Sequence, residues 1–365
     1  METSKVKRIH DFGQSIWLDF IDRDIIKSGK LKELIDNDGV RGVTSNPAIF
    51  EKAISSSSDY DADILRIAEH TQDFEDVFYQ LAVSDIQQAA DVFKPLYNQE
   101  EVRGADGYVS LEVSPRLAMD AEGTFQQAVD LWKKVDRHNV MIKIPGTEPG
   151  LEAIRRAIAE GININVTLLF GLERYRAVAE AYIAGLEERL EKDQPIADIA
   201  SVASFFLSRI DVMVDPLLDE NGLSHLKGEV AIASAKKAYE IYLEVFGSDR
   251  WKKLEAEGAK PQRLLWASTS SKNPAFKSTK YVDALIGKNT VDTVPMETLE
   301  AYRTEGEPAD RLTEDLDQAT EILEKLKTAG IDLDQITQKL EDEGVEKFIA
   351  PYDKLLKAIE DQTNK

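Results

Sequence analysis

The residues best suited to covalent chemistry lie near the ends of short apolar runs. In Val140-Met141-Ile142-Lys143-Ile144, Lys143 opposes an aliphatic triplet. A lysine turned into an apolar interior loses hydration, which favours its neutral amine. A neutral amine attacks carbonyls and forms a Schiff base. Asp19, in Ser15-Ile16-Trp17-Leu18-Asp19-Phe20, and Glu112, in Val109-Ser110-Leu111-Glu112-Val113, alternate in the same way. They supply the proton transfers that carbinolamine formation, dehydration and carbon–carbon cleavage require. The structural alternative is an ion pair between Lys143 and Glu112, or a lysine that snorkels to the surface. Thr44, Asn46, Asn165, Thr167 and Ser204 offer neutral hydrogen bonds suited to a polyol; otherwise they satisfy backbone groups at strand ends.

A second group is cationic. Arg209 follows the sixth run, and Ser268-Thr269-Ser270-Ser271-Lys272-Asn273 follows the seventh. Arginine presents a bidentate fork to phosphate oxygens. These two cations would create a local well for an anion in an otherwise acidic chain. The segment Gly146–Gly150 lacks a phosphate-loop lysine and reads as a turn into a helix.

These side chains need a scaffold that brings many strand ends together. Strands are expected at Ser15–Phe20, Val40–Asn46, Tyr108–Ser114, Asn139–Pro145, Asn163–Phe170, Ile199–Phe206, Arg263–Ser268 and Thr290–Val294. Helical spacing separates them at Thr124–Arg137, Leu151–Glu160, Leu172–Asp193 and Lys227–Phe246. Such alternation predicts an α/β fold with a parallel sheet. Its closed form is the (β/α)8 barrel, whose catalytic residues come from the C-terminal strand ends. A doubly wound open sheet is the alternative. The surplus length lies in 48–106, a helical insertion after strand two with a helix at Phe74–Phe93, and in 297–365. That tail is expected to hold separate helices: Asp310–Thr328, one starting near Asp332, and a last one ending near Gln362. The whole chain, 1–365, reads as a single domain. The tryptophans Trp17, Trp132, Trp251 and Trp266 read as packing residues, with Trp17 and Trp266 as possible cavity liners.

The 365 residues carry 67 acidic and 45 basic side chains, a net charge of −22, and are 42% hydrophobic. That balance argues against nucleic-acid and anionic-membrane partners, which need a basic footprint. With no cysteine, thiol catalysis and thiolate metal sites are excluded. The four histidines, His10, His70, His138 and His225, are scattered, so no metal site is expected. No apolar run approaches the roughly 20 residues of a spanning helix. A cytoplasmic protein is the expectation.

The segments SIWLDFIDRD, GVTSNPAIFEKAI, VSLEVSPRLAMD, VMIKIPGT, GININVTLLF, SVASFFLSRID and WASTSSKNP together resemble transaldolase, a family of class I Schiff-base aldolases. The longer, second subfamily found in bacteria is the best match, and the motifs run from about residue 15 to about residue 300 in the family's order. The resemblance implies transfer of a dihydroxyacetone unit between sugar phosphates in the non-oxidative pentose phosphate pathway, without metal or organic cofactor. It implies that Lys143 forms the Schiff base and that Asp19 is the acid/base at the bond being broken. Glu112 and Thr167 would act through a water during imine formation and hydrolysis. Asn46, Asn165 and Ser204 would hold the dihydroxyacetone unit, with Thr44 and Phe206 completing the substrate-binding set. Arg209 and Ser268 would hold the distal phosphate. The family often carries an arginine just after the Ser268 position; here Lys272 is the nearest cation. The expected partners are small-molecule sugar phosphates, and the expected state is a monomer or homodimer. The rivals are an aldolase that releases free dihydroxyacetone, a sugar-phosphate-binding regulator, and a scaffold in which the polar strand ends are accidental.

Overall fold

Each of the eight apolar runs forms a strand in the computed structural model, which describes residues 3–102 and 104–364. They are β1 Gln14–Asp19, β2 Gly42–Thr44, β3 Tyr108–Glu112, β4 Val140–Pro145, β5 Ile164–Leu169, β6 Ser201–Phe206, β7 Arg263–Ala267 and β8 Thr290–Val294. All pair in parallel, in sequence order, and β1 closes on β8. The structure is therefore a closed (β/α)8 barrel and not an open sheet.

Register sets which side chains share the interior, since partners in parallel strands project to the same face. Asp19 pairs with Thr44, Glu112 with Lys143, and Lys143 with Asn165. The polar residues read from strand parity thus form one interior layer at the C-terminal ends. The opposite end is sealed by a separate network. Asp106 accepts hydrogen bonds from Ser15 Oγ at 2.8 Å and Trp17 Nε1 at 3.2 Å, and pairs with Arg263 and Arg41 at 3.2 Å each. The two guanidinium groups hold the Asp106 carboxyl below its usual range, against a desolvation that would raise it.

Three expectations need correction. Strand β2 is shorter than Val40–Asn46, because Pro47 opens a helix, Pro47–Ser56, capped by Asn46. Proline has no N–H to lose at a first helical position, and its φ is already helical. Trp17 and Trp266 do not line the mouth of the barrel. Trp17 lies one layer below Asp19, against Gly42, where an added Cβ would come within 2.6 Å of the indole. Trp266 alternates with the interior Ala267, so it faces the helices, where its Nε1 donates to Leu285 O at 3.1 Å.

The third correction concerns the tail. One helix starts at Leu316, not Asp310, and runs to Thr328. Beyond it, Leu333–Thr363 is one continuous helix of 31 residues, not two segments. Gly344 and Pro351 look like breakers, and an interior proline costs a helix about 3 kcal/mol. A buried stripe outweighs them: Leu340, Gly344, Phe348, Tyr352, Leu355 and Ile359 recur at helical spacing. This helix packs on Pro47–Ser56 and on Phe74–Tyr97 of the 48–106 segment, and it touches β5. It lies across the C-terminal end of the barrel.

Candidate active site

Strand β4 delivers Lys143 to the interior, where the residue is only 4% exposed. Its Nζ donates to the Ser45 carbonyl at 3.1 Å and lies 3.5 Å from Glu112 Oε2. The Phe348 ring centroid is 5.8 Å away. Among the described residues neither Glu112 oxygen accepts a hydrogen bond, and the buried Thr167 hydroxyl has no partner. A buried polar group without a partner is costly and rare. Here two such groups come from the strands on either side of β4.

Burial drives the Glu112 carboxyl up to about 7, although the ammonium of Lys143 pulls the other way. A carboxyl that titrates there can both give and take a proton at neutral pH. Burial also raises Asp19, against the counter-pull of Lys143 and of the Thr44 hydroxyl, which donates to Asp19 Oδ1 at 2.7 Å. Thr293 Oγ lies 2.7 Å from Thr44 Oγ. With the Thr44 proton on Asp19, Thr293 must be the donor to Thr44, so two hydroxyls in series fix the Asp19 carboxylate.

Asn165 is fully buried, with its amide donating to Ser110 Oγ at 3.1 Å and accepting from Ser204 Oγ at 2.7 Å. Asn46 uses its side-chain oxygen as a helix cap on Ile49 N at 3.0 Å, leaving its NH2 to donate elsewhere. Next to Thr167, β5 breaks register and Leu168 takes a φ of 61°. A left-handed leucine costs on the order of 1–3 kcal/mol, and bulges of this kind re-aim side chains beside active sites.

A cavity of about 230 Å³ opens above this layer. Asp19, Thr44, Asn46, Lys143, Ser204, Phe206, Arg209, Ser268 and Lys272 are among the residues that line it. Arg209 lies in the first turn of helix Ser208–Glu220, its guanidinium 5.3 Å from the Phe206 ring. Its Nη1 is buried and unpartnered. Burial lowers its pKa, and Asp19 partly offsets this. Ser268 has a φ of 56°, and its hydroxyl lies 2.8 Å from that of Ser208, joining the ends of β6 and β7. Lys272 is exposed and donates to Ser270 Oγ at 2.6 Å.

The structure thus gathers all twelve expected residues at one end of the barrel. Nine border the open cavity, while Glu112, Asn165 and Thr167 lie among the buried strand-end groups around Lys143. Thr293, Glu297 and Phe348 also line the cavity and were not anticipated. Thr293 was within reach, since it shares a face with Val291 at the end of β8 as Asp19 does with Trp17. Phe348 left no signal, because an apolar residue on a helical stripe looks like any core residue. Among the described residues no cluster of three His, Cys, Asp or Glu could hold a metal ion.

The chain is similar over nearly its whole length to proteins of one family. The transaldolase/fructose-6-phosphate aldolase family model matches residues 16–359. A transaldolase of Trichodesmium erythraeum is 47% identical, covering 100% of this chain and 99% of the relative. A transaldolase of Saccharopolyspora erythraea is also 47% identical, over 98% of each chain. Transaldolase 2 of Nostoc punctiforme is 45% identical over 99% of this chain and 98% of its own. A family model that matches residues 16–359 and relatives 45–47% identical over nearly the whole of both chains show that the chain belongs to the transaldolase/fructose-6-phosphate aldolase family.

Proposed function

We propose that the chain is a transaldolase that carries a dihydroxyacetone unit on Lys143. The observation that supports this best is the burial of Lys143 beside Glu112, at 3.5 Å, in the wall of a cavity shared with Asp19. Lys143 Nζ attacks C2 of fructose 6-phosphate or sedoheptulose 7-phosphate. Glu112, titrating near 7 and flanking the amine opposite Thr167, protonates the departing hydroxyl as the imine forms. Asp19 then takes the C4 hydroxyl proton while C3–C4 breaks, and the electrons flow into the iminium. An aldose phosphate leaves, and the enamine stays on Lys143. Its C3 attacks the aldehyde of glyceraldehyde 3-phosphate or erythrose 4-phosphate, and Asp19 returns its proton to the new hydroxyl. Water then frees the product. The protonated imine is the electron sink, so the reaction needs no metal or organic cofactor.

The two ends of the cavity divide the labour. Asn46 and Ser204 face the dihydroxyacetone unit, with Asn165 behind Ser204. Arg209, Ser268 and Lys272 hold the phosphate of donor and acceptor. An acceptor phosphate at that end would place its aldehyde near the enamine, which favours transfer over plain aldol cleavage. The chain acts as one domain, with 48–106 and 297–365 as additions to the barrel. Its partners are sugar phosphates, in the cytoplasm, as part of the pentose phosphate interconversions. Among the described residues no helix is long and apolar enough to cross a membrane.

Borohydride reduction with fructose 6-phosphate, followed by mass mapping, tests the assignment. The adduct should map to Lys143 and vanish in Lys143→Ala. A stable adduct on another lysine would overturn it.

A further inference from the structure

The cavity is polar on nearly every side. Its two aromatic side chains are Phe206 and Phe348, and each stands against a different cation. Phe206 stands against the Arg209 guanidinium at 5.3 Å. Phe348 stands against the reactive amine, with its ring centroid 5.8 Å from Lys143 Nζ. Phe348 comes from the helix Leu333–Thr363, far outside the strands and loops that supply the other lining residues.

That helix is held on both sides of Phe348. Glu341 pairs with Arg174 at 3.0 Å, from the helix after β5. Asp353 pairs with Arg116 at 2.7 Å, from the loop after β3, and Tyr352 OH donates to Glu75. One turn before Phe348 the helix runs close to the barrel: a Cβ at Gly344 would lie 3.1 Å from the side chain of Leu168, the left-handed residue beside Thr167. Phe348 itself is 7% exposed, so little of its ring meets solvent.

This position matters for the intermediate. After cleavage, the enamine on Lys143 has two fates. Its carbon can attack the acceptor aldehyde, forming the new carbon–carbon bond. Alternatively it takes a proton at that carbon, and water adds at C2 as the C2–N bond breaks. That path releases free dihydroxyacetone and returns the lysine amine. Closing an active site to bulk water suppresses side reactions of this kind. Resting on the Schiff-base reading of Lys143, we infer that Phe348 is a positioning residue that shields the lysine-bound fragment from solvent and so sets the partition between transfer and release. The C-terminal helix thereby takes part in choosing between transaldolase and aldolase outcomes at one amine.

The test uses the full chain with fructose 6-phosphate and erythrose 4-phosphate, counting free dihydroxyacetone against sedoheptulose 7-phosphate. In Phe348→Ala the ratio should rise several-fold, and in Phe348→Leu it should rise less, since leucine still fills part of the space. Borohydride trapping should continue to map to Lys143 in both. The KM for fructose 6-phosphate should move little, because the phosphate end is untouched. An unchanged ratio in either variant that still traps at Lys143 overturns the inference; if Phe348→Ala fails to fold, Phe348→Leu decides. Absence of the adduct in the parent protein would instead defeat the Schiff-base reading, and the two failures are told apart.

Discussion

Replacing Glu112 by glutamine removes a titration while keeping the shape of the side chain. The carboxyl rises from an ordinary 4.5 to about 7 because burial penalises its charge more than Lys143 rewards it. At 1.36 kcal/mol per tenfold change, that rise corresponds to about 3 kcal/mol. A folded-state pKa above the unfolded value means that the folded state holds the proton longer. Stability from this group is therefore complete below about 4.5, declines as pH climbs to about 7, and is fully lost above it. Glutamine does not titrate, so Glu112→Gln should gain about 3 kcal/mol relative to the parent between pH 4.5 and pH 8. Urea unfolding at both pH values measures the difference, since titrations elsewhere are common to both proteins. Kinetics should go the other way. Loss of a positioned acid/base costs about 10²–10⁴-fold, and it should fall on imine formation and hydrolysis more than on bond cleavage. A wild-type rate limb near pH 7 should disappear from single-turnover trapping in the variant. If stability differences stay flat with pH and the limb persists, Glu112 is not the group that titrates there.

Asp19→Asn should leave the borohydride adduct largely intact while turnover falls by about 10²–10⁴-fold; wild-type turnover would reduce the carboxylate to a partner for Thr44. Arg209→Ala removes a guanidinium whose Nη1 has no partner among the described residues. A hydrogen bond to a charged group is worth about 1.5–3 kcal/mol, so affinity for fructose 6-phosphate should drop roughly 10- to 150-fold. Reaction with unphosphorylated donors should hardly change, and equal losses for both would make Arg209 a structural residue. Lys272 is exposed, so its contribution is mainly Coulombic and screened by salt. Lys272→Met should raise KM for sugar phosphates at low salt more than at high salt, with Lys272→Arg restoring most of it. No change at low salt removes Lys272 from the phosphate end.

Strand positions and faces were legible because they depend on a local period. In a parallel strand the side chains alternate, so Asp19, Glu112 and Lys143 had to oppose their aliphatic neighbours whichever way the barrel closed. The strand ends were less legible: Asn46 left β2 because Pro47 and a helix cap compete with the ladder. Parity was also blind to height, which is why Trp17 read as a cavity liner although it lies a layer below Asp19.

The sequence by itself therefore determined which residues enter the barrel and what chemistry they could perform. The tertiary structure alone decided their relations. Closure of β1 on β8 brought Thr293 to Thr44, and the β3–β4 register set the 3.5 Å between Lys143 and Glu112. A bulge at Leu168 left Thr167 without a partner beside them. Docking carried a helix past its own glycine and proline, and more than 200 residues from Lys143 in the chain, to place Phe348 over the amine. Alternation acts between nearest neighbours and can be read along the chain. Docking follows from the summed burial of a distant stripe, which no local pattern encodes.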